Sequence, residues 1–248
     1  NCNDGNVGTL AGEIRDRTGA AVDDQRYAIK VKDIIIDNSD VSTSGNSPAG
    51  SVGGVAGFTD LNNNGTEFKN ISIYNSMIVA DSLTYHSGGL FGRLVSTSTP
   101  APTNQGRMES LRSIDNTVNA AAGVIGVGGV FGYFGAKHIE VRKIIADSSV
   151  SGDDEVGGVV GSQMDGRISE AVSIGDVTGT TDVGGFVGYL GLAGAEINGS
   201  YSTASVTATT SGSGFVGANI TGSIIKNSWY DPTSLSGSAT LSPPNDID

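Results

Sequence analysis

A glycine-bracketed apolar cassette recurs seven times along this chain, and that repeat constrains the fold more than any composition figure. The copies lie at 7–12, 52–57, 87–92, 127–132, 156–161, 183–188 and 212–217. Their closing glycines are 45, 35, 40, 29, 27 and 29 residues apart. Units recurring at this spacing bury their apolar faces only against their neighbours, so the chain reads as one stack of structural repeats.

The segments between cassettes repeat as well. Residues 31–41 return as 68–78, then as 108–118, 141–150, 168–177 and 197–206. They are short runs rich in Val, Ile and Tyr, cut by Gly, Asn, Asp and Ser, with no helical period. Each coil reads as three short strands: the cassette, an apolar-polar stretch, and a strand ending in Val or Ile. Like strands one coil apart pair in parallel, and crossovers between parallel strands are right-handed. The expectation is an all-β, right-handed parallel β-helix of about seven coils, roughly 30–35 Å long at ~4.8 Å per coil.

One solenoid domain is expected over 1–231, with 232–248, which holds Pro243 and Pro244, as a polar tail, linker or donated segment. The cassette glycines serve either a positive φ or a close backbone approach. Stacking places Lys32, Lys69, Glu109, Arg142, Ser169, Asn198 and Lys226 in one column, a solvated face. The departures from the short period, at 13–26, 43–51, 96–107 and 120–126, belong at coil corners. Trp229, the single Trp, is expected to plug the end of the core.

Composition narrows the function. Net charge is −12, and the 14 basic residues read as scattered, so nucleic acid and anionic membranes are not the expected partners. Apolar residues are 37% of the chain, beside 38 glycines, but their regular placement argues against disorder. No run approaches the ~20 apolar residues of a membrane span. Cys2 is the single cysteine, so no internal disulfide forms; a lipid anchor or cross-link is the alternative to an incidental thiol. The chain opens on Asn1 without an apolar leader, as at a mature or excised boundary. Low Lys with abundant Gly, Ser and Thr fits a prokaryotic secreted surface protein.

The cassette G-G-[LVF]-[VFA]-G, the following I-x-N-S-x-S-x-x-x-V run and the closing Asn227-Ser228-Trp229-Tyr230-Asp231 resemble the GLUG repeat. That repeat occurs in bacterial and archaeal surface proteins, including haemagglutinin-like adhesins and some secreted peptidases. The resemblance spans most of the chain and is strongest over 156–231. It implies a β-solenoid on an extracellular protein and carries no catalytic set to transfer.

Candidate chemistry is sparse. The 212–217 cassette matches G-x-G-x-x-G, but no helix follows and its six siblings lack the pattern, so it is a solenoid cassette. Asp60, Asn62, Asn64 and Gly65 match the opening of a calcium loop. Its twelfth position is Ile71, and Glu67 comes too early, so an interstrand turn explains the run equally well. His86 and His138 are too far apart for a triad or zinc cluster, and His86 reads as a corner residue. Asp153, Asp154 and Glu155 are the acids a polysaccharide-cleaving β-helix would use, although three adjacent acids in a turn more often face solvent. Asn64, Asn70, Asn198 and Asn219 begin N-x-[ST] sequons. No catalytic, cofactor or metal residue is assigned.

The expected function is a non-enzymatic extracellular structural protein, either a subunit of a self-assembling surface fibre or a stalk segment of an adhesin. Its partners would be further copies in head-to-tail contact or neighbouring domains, with a glycan or cell surface as target. The alternative is a carbohydrate-binding or polysaccharide-degrading β-helix protein. Ice binding would need a regular Thr array, which Thr178, Thr207 and Thr209 begin but other coils do not continue.

Overall fold

The computed structural model describes residues 5–15, 29–44, 50–61, 66–96, 106–237 and 240–241. Strands hold 70% of the described residues and helix 1%, as β-branched runs cut by turn residues should give. The first coil is β1 (Val7–Gly8), β2 (Ala11–Arg15), β3 (Lys30–Asp37) and β4 (Asp40–Ser42). The second is β5 (Gly50–Gly53), β6 (Ala56–Asp60), β7 (Glu67–Tyr74) and β8 (Met77–Ala80). Each strand pairs in parallel with its counterpart: Val7 with Val52, Ala11 with Ala56, Ile34 with Ile71, Val41 with Ile78. In the third to fifth coils the later segments fuse into the long strands Arg107–Ala120, Phe131–Ser151 and Val160–Ser173. The chain is a parallel β-helix, with an 8-stranded ladder running from β1 and a 19-stranded sheet curling round the rest. No helix among the described residues is long and apolar enough to cross a membrane.

The core consists of stacked columns. Val31, Phe68, Met108, Val141, Ile168, Ile197 and Ile225 share one register position, and all but the first are buried. Phe91 stacks on Phe131 at 5.6 Å, and Phe186 on Phe215 at 4.9 Å. Burying one such side chain contributes about 1.5–3 kcal/mol. A polar thread runs inside: Asn116 Nδ2 donates to the Ile73 carbonyl and to Ser113 Oγ, while its Oδ1 accepts from the Ser76 N–H.

The cassette is a corner, where a strand was expected. Val127 and Gly128 end the strand Ile125–Gly128, Gly129 and Val130 bend, and Phe131 opens the next. The second coil therefore has four pairing segments, β5 to β8, in place of three. Its glycines answer to close approach alone, since no cassette glycine among the described residues has positive φ. A Cβ on Gly157 would overlap the Val160 carbonyl oxygen and lie 2.6 Å from the Gly188 nitrogen, one coil on. At these columns the ladder packs backbone on backbone against the curled sheet, far closer than the ~10 Å of ordinary stacked sheets.

Left-handed backbone falls elsewhere, in another complete column. Asp33, Asn70, Ser110, Lys143, Glu170, Gly199 and Asn227 all have φ between 49° and 61°. This kink recurs in every coil: Lys32 and Arg142 before it belong to an outward column, while Ile71, Leu111 and Ile144 directly after it are buried in the core.

The expected tail also behaves differently. After a 3-10 turn at Pro232–Ser234, the strand Leu235–Gly237 pairs with Val206–Ala208, and Thr240–Leu241 pairs with Ser211–Ser213. The helix thus extends to 241, because the segment carries the same strand spacing as its predecessors. Trp229 does not plug the core: it is 53% exposed, on an outward position of its strand.

Candidate functional site

The β3 ladder, which runs through β7 to the later strands, presents four outward columns. The first reads Lys30, Glu67, Arg107, Glu140, Arg167, Glu196, Ile224, so charge alternates coil by coil until the last position. Like charges directly opposite destabilise paired strands, and alternation converts that repulsion into attraction. The second column is Lys32, Lys69, Glu109, Arg142, Ser169, Asn198 and Lys226, in the register expected. The third is the left-handed column. The fourth reads Ile35, Ser72, Arg112, Ile145, Val172, Tyr201, Trp229.

Together these columns overturn the picture of scattered basic residues. Nine of the 14 Lys and Arg lie on this face (residues 30, 32, 69, 107, 112, 142, 143, 167 and 226) against six acids (33, 67, 109, 140, 170 and 196). These columns carry a surplus of three positive charges in a chain whose net charge is −12. Linear sequence hides this because the residues are a coil apart.

Glu109 is the electrostatic centre of the face. Its carboxylate, 7% exposed, receives Lys143 Nζ at 2.7 Å, Arg142 Nη2 at 3.2 Å and Arg107 Nη2 at 2.8 Å. The Lys143 hydrogen bond, above all, holds the Glu109 carboxyl below its ordinary pKa, and the same contact raises that of Lys143. Three cations converge on this one carboxylate, with Glu67 and Glu140 flanking Arg107 along its own column. Glu196 binds Arg167 at 2.8 Å and stands 4.0 Å from Lys226.

Beside this centre lies an open groove of about 460 Å³, lined by residues that include Arg112, Lys143, Ile145, Glu170, Val172 and Tyr201. At its end the Tyr201 and Trp229 rings stack at 4.9 Å and 6°, with Tyr201 39% exposed. A single Trp and a Tyr 28 residues before it give no local signal of contact; only coil register joins them.

The other candidates fall on different faces. His86 is half-buried on the first ladder, 4.9 Å from the Tyr133 ring and 3.5 Å from Ser51 Oγ. Burial, helped by Arg93, lowers its pKa to about 3. Arg93 lies between the rings of Phe58 (5.7 Å) and Tyr133 (5.2 Å). Asp153, Asp154 and Glu155 are all half-buried, where solvent-facing acids were expected, and burial raises the pKa of Asp154 and Glu155. Among the described residues no group of His, Cys, Asp and Glu could hold a metal. Asp60 ends β6, but Asn62, Asn64 and Gly65 lie outside the described residues, as does Cys2. The side chain of His138 also lies outside them.

Of the sequon asparagines, Asn70 occupies the left-handed column and donates to Asp33 at 2.8 Å. Asn198 accepts from Asn227 at 3.0 Å, and exposed Asn219 bonds Ser223.

No family model matches the chain, and no curated protein does. Among solved structures, it is similar to a "putative immunoglobulin A1 protease" from Bacteroides ovatus, with 17% identity and a TM-score of 0.58. The match covers 86% of this chain and 62% of that one. At this identity the likeness concerns the fold alone.

Proposed function

We propose that this chain is a non-enzymatic structural segment of an extracellular surface protein, a rod that stacks end to end with further coils. The observation that carries this reading is the first-coil end. Among the described residues, β1 to β4 pair on one side only, with β5 to β8. There Val7, Ile14, Ile29, Val31 and Ile34 are only partly buried against the core, whereas Val52, Phe68 and Ile71 in the next coil are fully buried. Strand edges and partly buried apolar side chains favour pairing with a further coil, and a heterologous contact of that kind builds a filament.

The GLUG resemblance supports an extracellular placement. Either a fibre of identical copies or a stalk within a longer adhesin satisfies the end, and we favour the fibre. Electron microscopy and light scattering of the purified chain test it: rods longer than one chain, growing with concentration, are expected. Val31→Glu should stop that growth while leaving the β circular-dichroism signal. A monomer at every concentration refutes the fibre.

A polysaccharide-cleaving reading draws on the raised carboxyls of Asp154 and Glu155. It requires product release from acidic or neutral polysaccharides that Asp154→Asn and Glu155→Gln abolish.

A further inference from the structure

We infer that the outward face of the β3 ladder is a binding surface for an acidic polysaccharide, with Tyr201 and Trp229 as its apolar platform. Its biological meaning rests on the extracellular placement above, but its test uses the purified chain and is independent of end-to-end stacking.

Charge argues first. A chain of −12 repels polyanions on average, but nine of its 14 cations are on this face. A polyanion approaching the rod is therefore steered to one side of it.

The arrangement of those cations argues second. Arg107, Arg142 and Lys143 already converge on a carboxylate, Glu109. That geometry suits the carboxylate of a uronic acid, and guanidinium groups grip such groups through paired hydrogen bonds. Counting all its acids, the face still keeps a surplus of three positive charges, and exposed Arg112 stands beside Lys143 on the groove wall.

The groove argues third. Ile145, Val172 and Tyr201 give it an apolar side, while Arg112, Lys143 and Glu170 supply polar groups, the mixture a small-ligand site uses to bury one face and orient another. Pyranose rings present apolar C–H faces and hydroxyl edges and match such a mixture. Single-stranded nucleic acid fits less well. Its affinity rests on base stacking along successive open aromatic faces, whereas this face offers a single stacked pair, Tyr201 and Trp229, among apolar Ile145 and Val172.

The test is affinity electrophoresis of the chain through gels containing polygalacturonate, dextran or single-stranded DNA. Four substitutions on the face are compared with Tyr85→Ala, an aromatic on the other ladder that is 47% exposed. Polygalacturonate is expected to retard the chain and dextran is not. Tyr201→Ala and Trp229→Ala should each weaken retardation about fivefold, and the double variant Arg112→Gln/Lys143→Gln about tenfold. Tyr85→Ala should leave it unchanged. Both aromatics are well exposed, so truncating them spares the core, and circular dichroism verifies the fold. The inference is overturned if polygalacturonate does not retard the chain, or if Tyr85→Ala loses as much as the face variants. It is equally overturned if DNA binds as strongly without need of Tyr201 and Trp229. Sedimentation without polysaccharide supplies a last check: if the face substitutions dissociate an oligomer, the face is a contact between copies, and the inference falls.

Discussion

Two glycines with opposite reasons for being glycine separate steric from conformational demand. Gly199 has φ +57°, and a Cβ on it would meet nothing within 4 Å. Gly199→Ala therefore carries only the left-handed penalty, about 1 kcal/mol. Gly157 has an ordinary φ, so Ala there gains a few tenths to ~1 kcal/mol through the unfolded chain. Against that, its Cβ overlaps one backbone oxygen and lies 2.6 Å from a backbone nitrogen, and neither atom can rotate away. Relief requires the corner to open. That weakens hydrogen bonds such as Gly158 N–H to the Gly184 carbonyl (3.3 Å) and Val160 N–H to the Phe186 carbonyl (3.1 Å), at ~1 kcal/mol each, in addition to ~1–3 kcal/mol of overpacking. The net loss for Gly157→Ala is roughly 3 kcal/mol, a large part of the ~5–15 kcal/mol stability of a typical domain. Urea unfolding followed by circular dichroism measures both variants. If Gly157→Ala loses no more than Gly199→Ala, the close-approach account of the cassette is wrong.

Three further outcomes are expected. His86, with its pKa lowered to about 3, is neutral in the fold and protonates near 6.5 when unfolded. Its contribution is complete above that value and is lost as pH falls, by about 2 kcal/mol near pH 5. His86→Gln should flatten the stability curve between about pH 7.5 and pH 5, and an unchanged slope counts against the buried neutral imidazole. Glu109→Gln should destabilise by about 1 kcal/mol at low salt, shrinking in ~1 M salt where screening is near complete. Because the folded Glu109 pKa is lowered, the wild-type advantage is present above the unfolded carboxyl pKa and fades as pH drops below it. Denaturation at paired salt and pH conditions reads both effects. Glu170 has φ +54°, where Asn is better tolerated, so Glu170→Asn should raise the melting temperature by the equivalent of ~0.5 kcal/mol.

Much of the architecture follows from spacing alone. The recurrence of 168–177 at 197–206 sets Ile168 beside Ile197 and Val177 beside Val206, as the strands show. Parallel, in-register stacking leaves identical side chains nowhere to go except into columns, so the Lys32 column was legible before any fold. What spacing could not reveal is whatever depends on the path between columns. Both explanations of the cassette glycines satisfy the same letters; only the approach of Gly157 to Gly188 decides for steric contact. Trp229 reads as a core plug from its rarity, yet the kink at Asn227, φ 49°, precedes an outward position where it meets Tyr201. The basic face was invisible for a related reason. Arg142 and Lys143 lie more than 30 residues beyond Arg107 and Glu109, and the chain brings all three cations to one carboxylate only by closing a full turn. Sequence by itself determined the period, the strand register and the core columns, because those follow from local apolar pattern and repetition. The tertiary structure decided which columns face outward and how close two backbones come, because both depend on dihedral angles and contacts a full coil away.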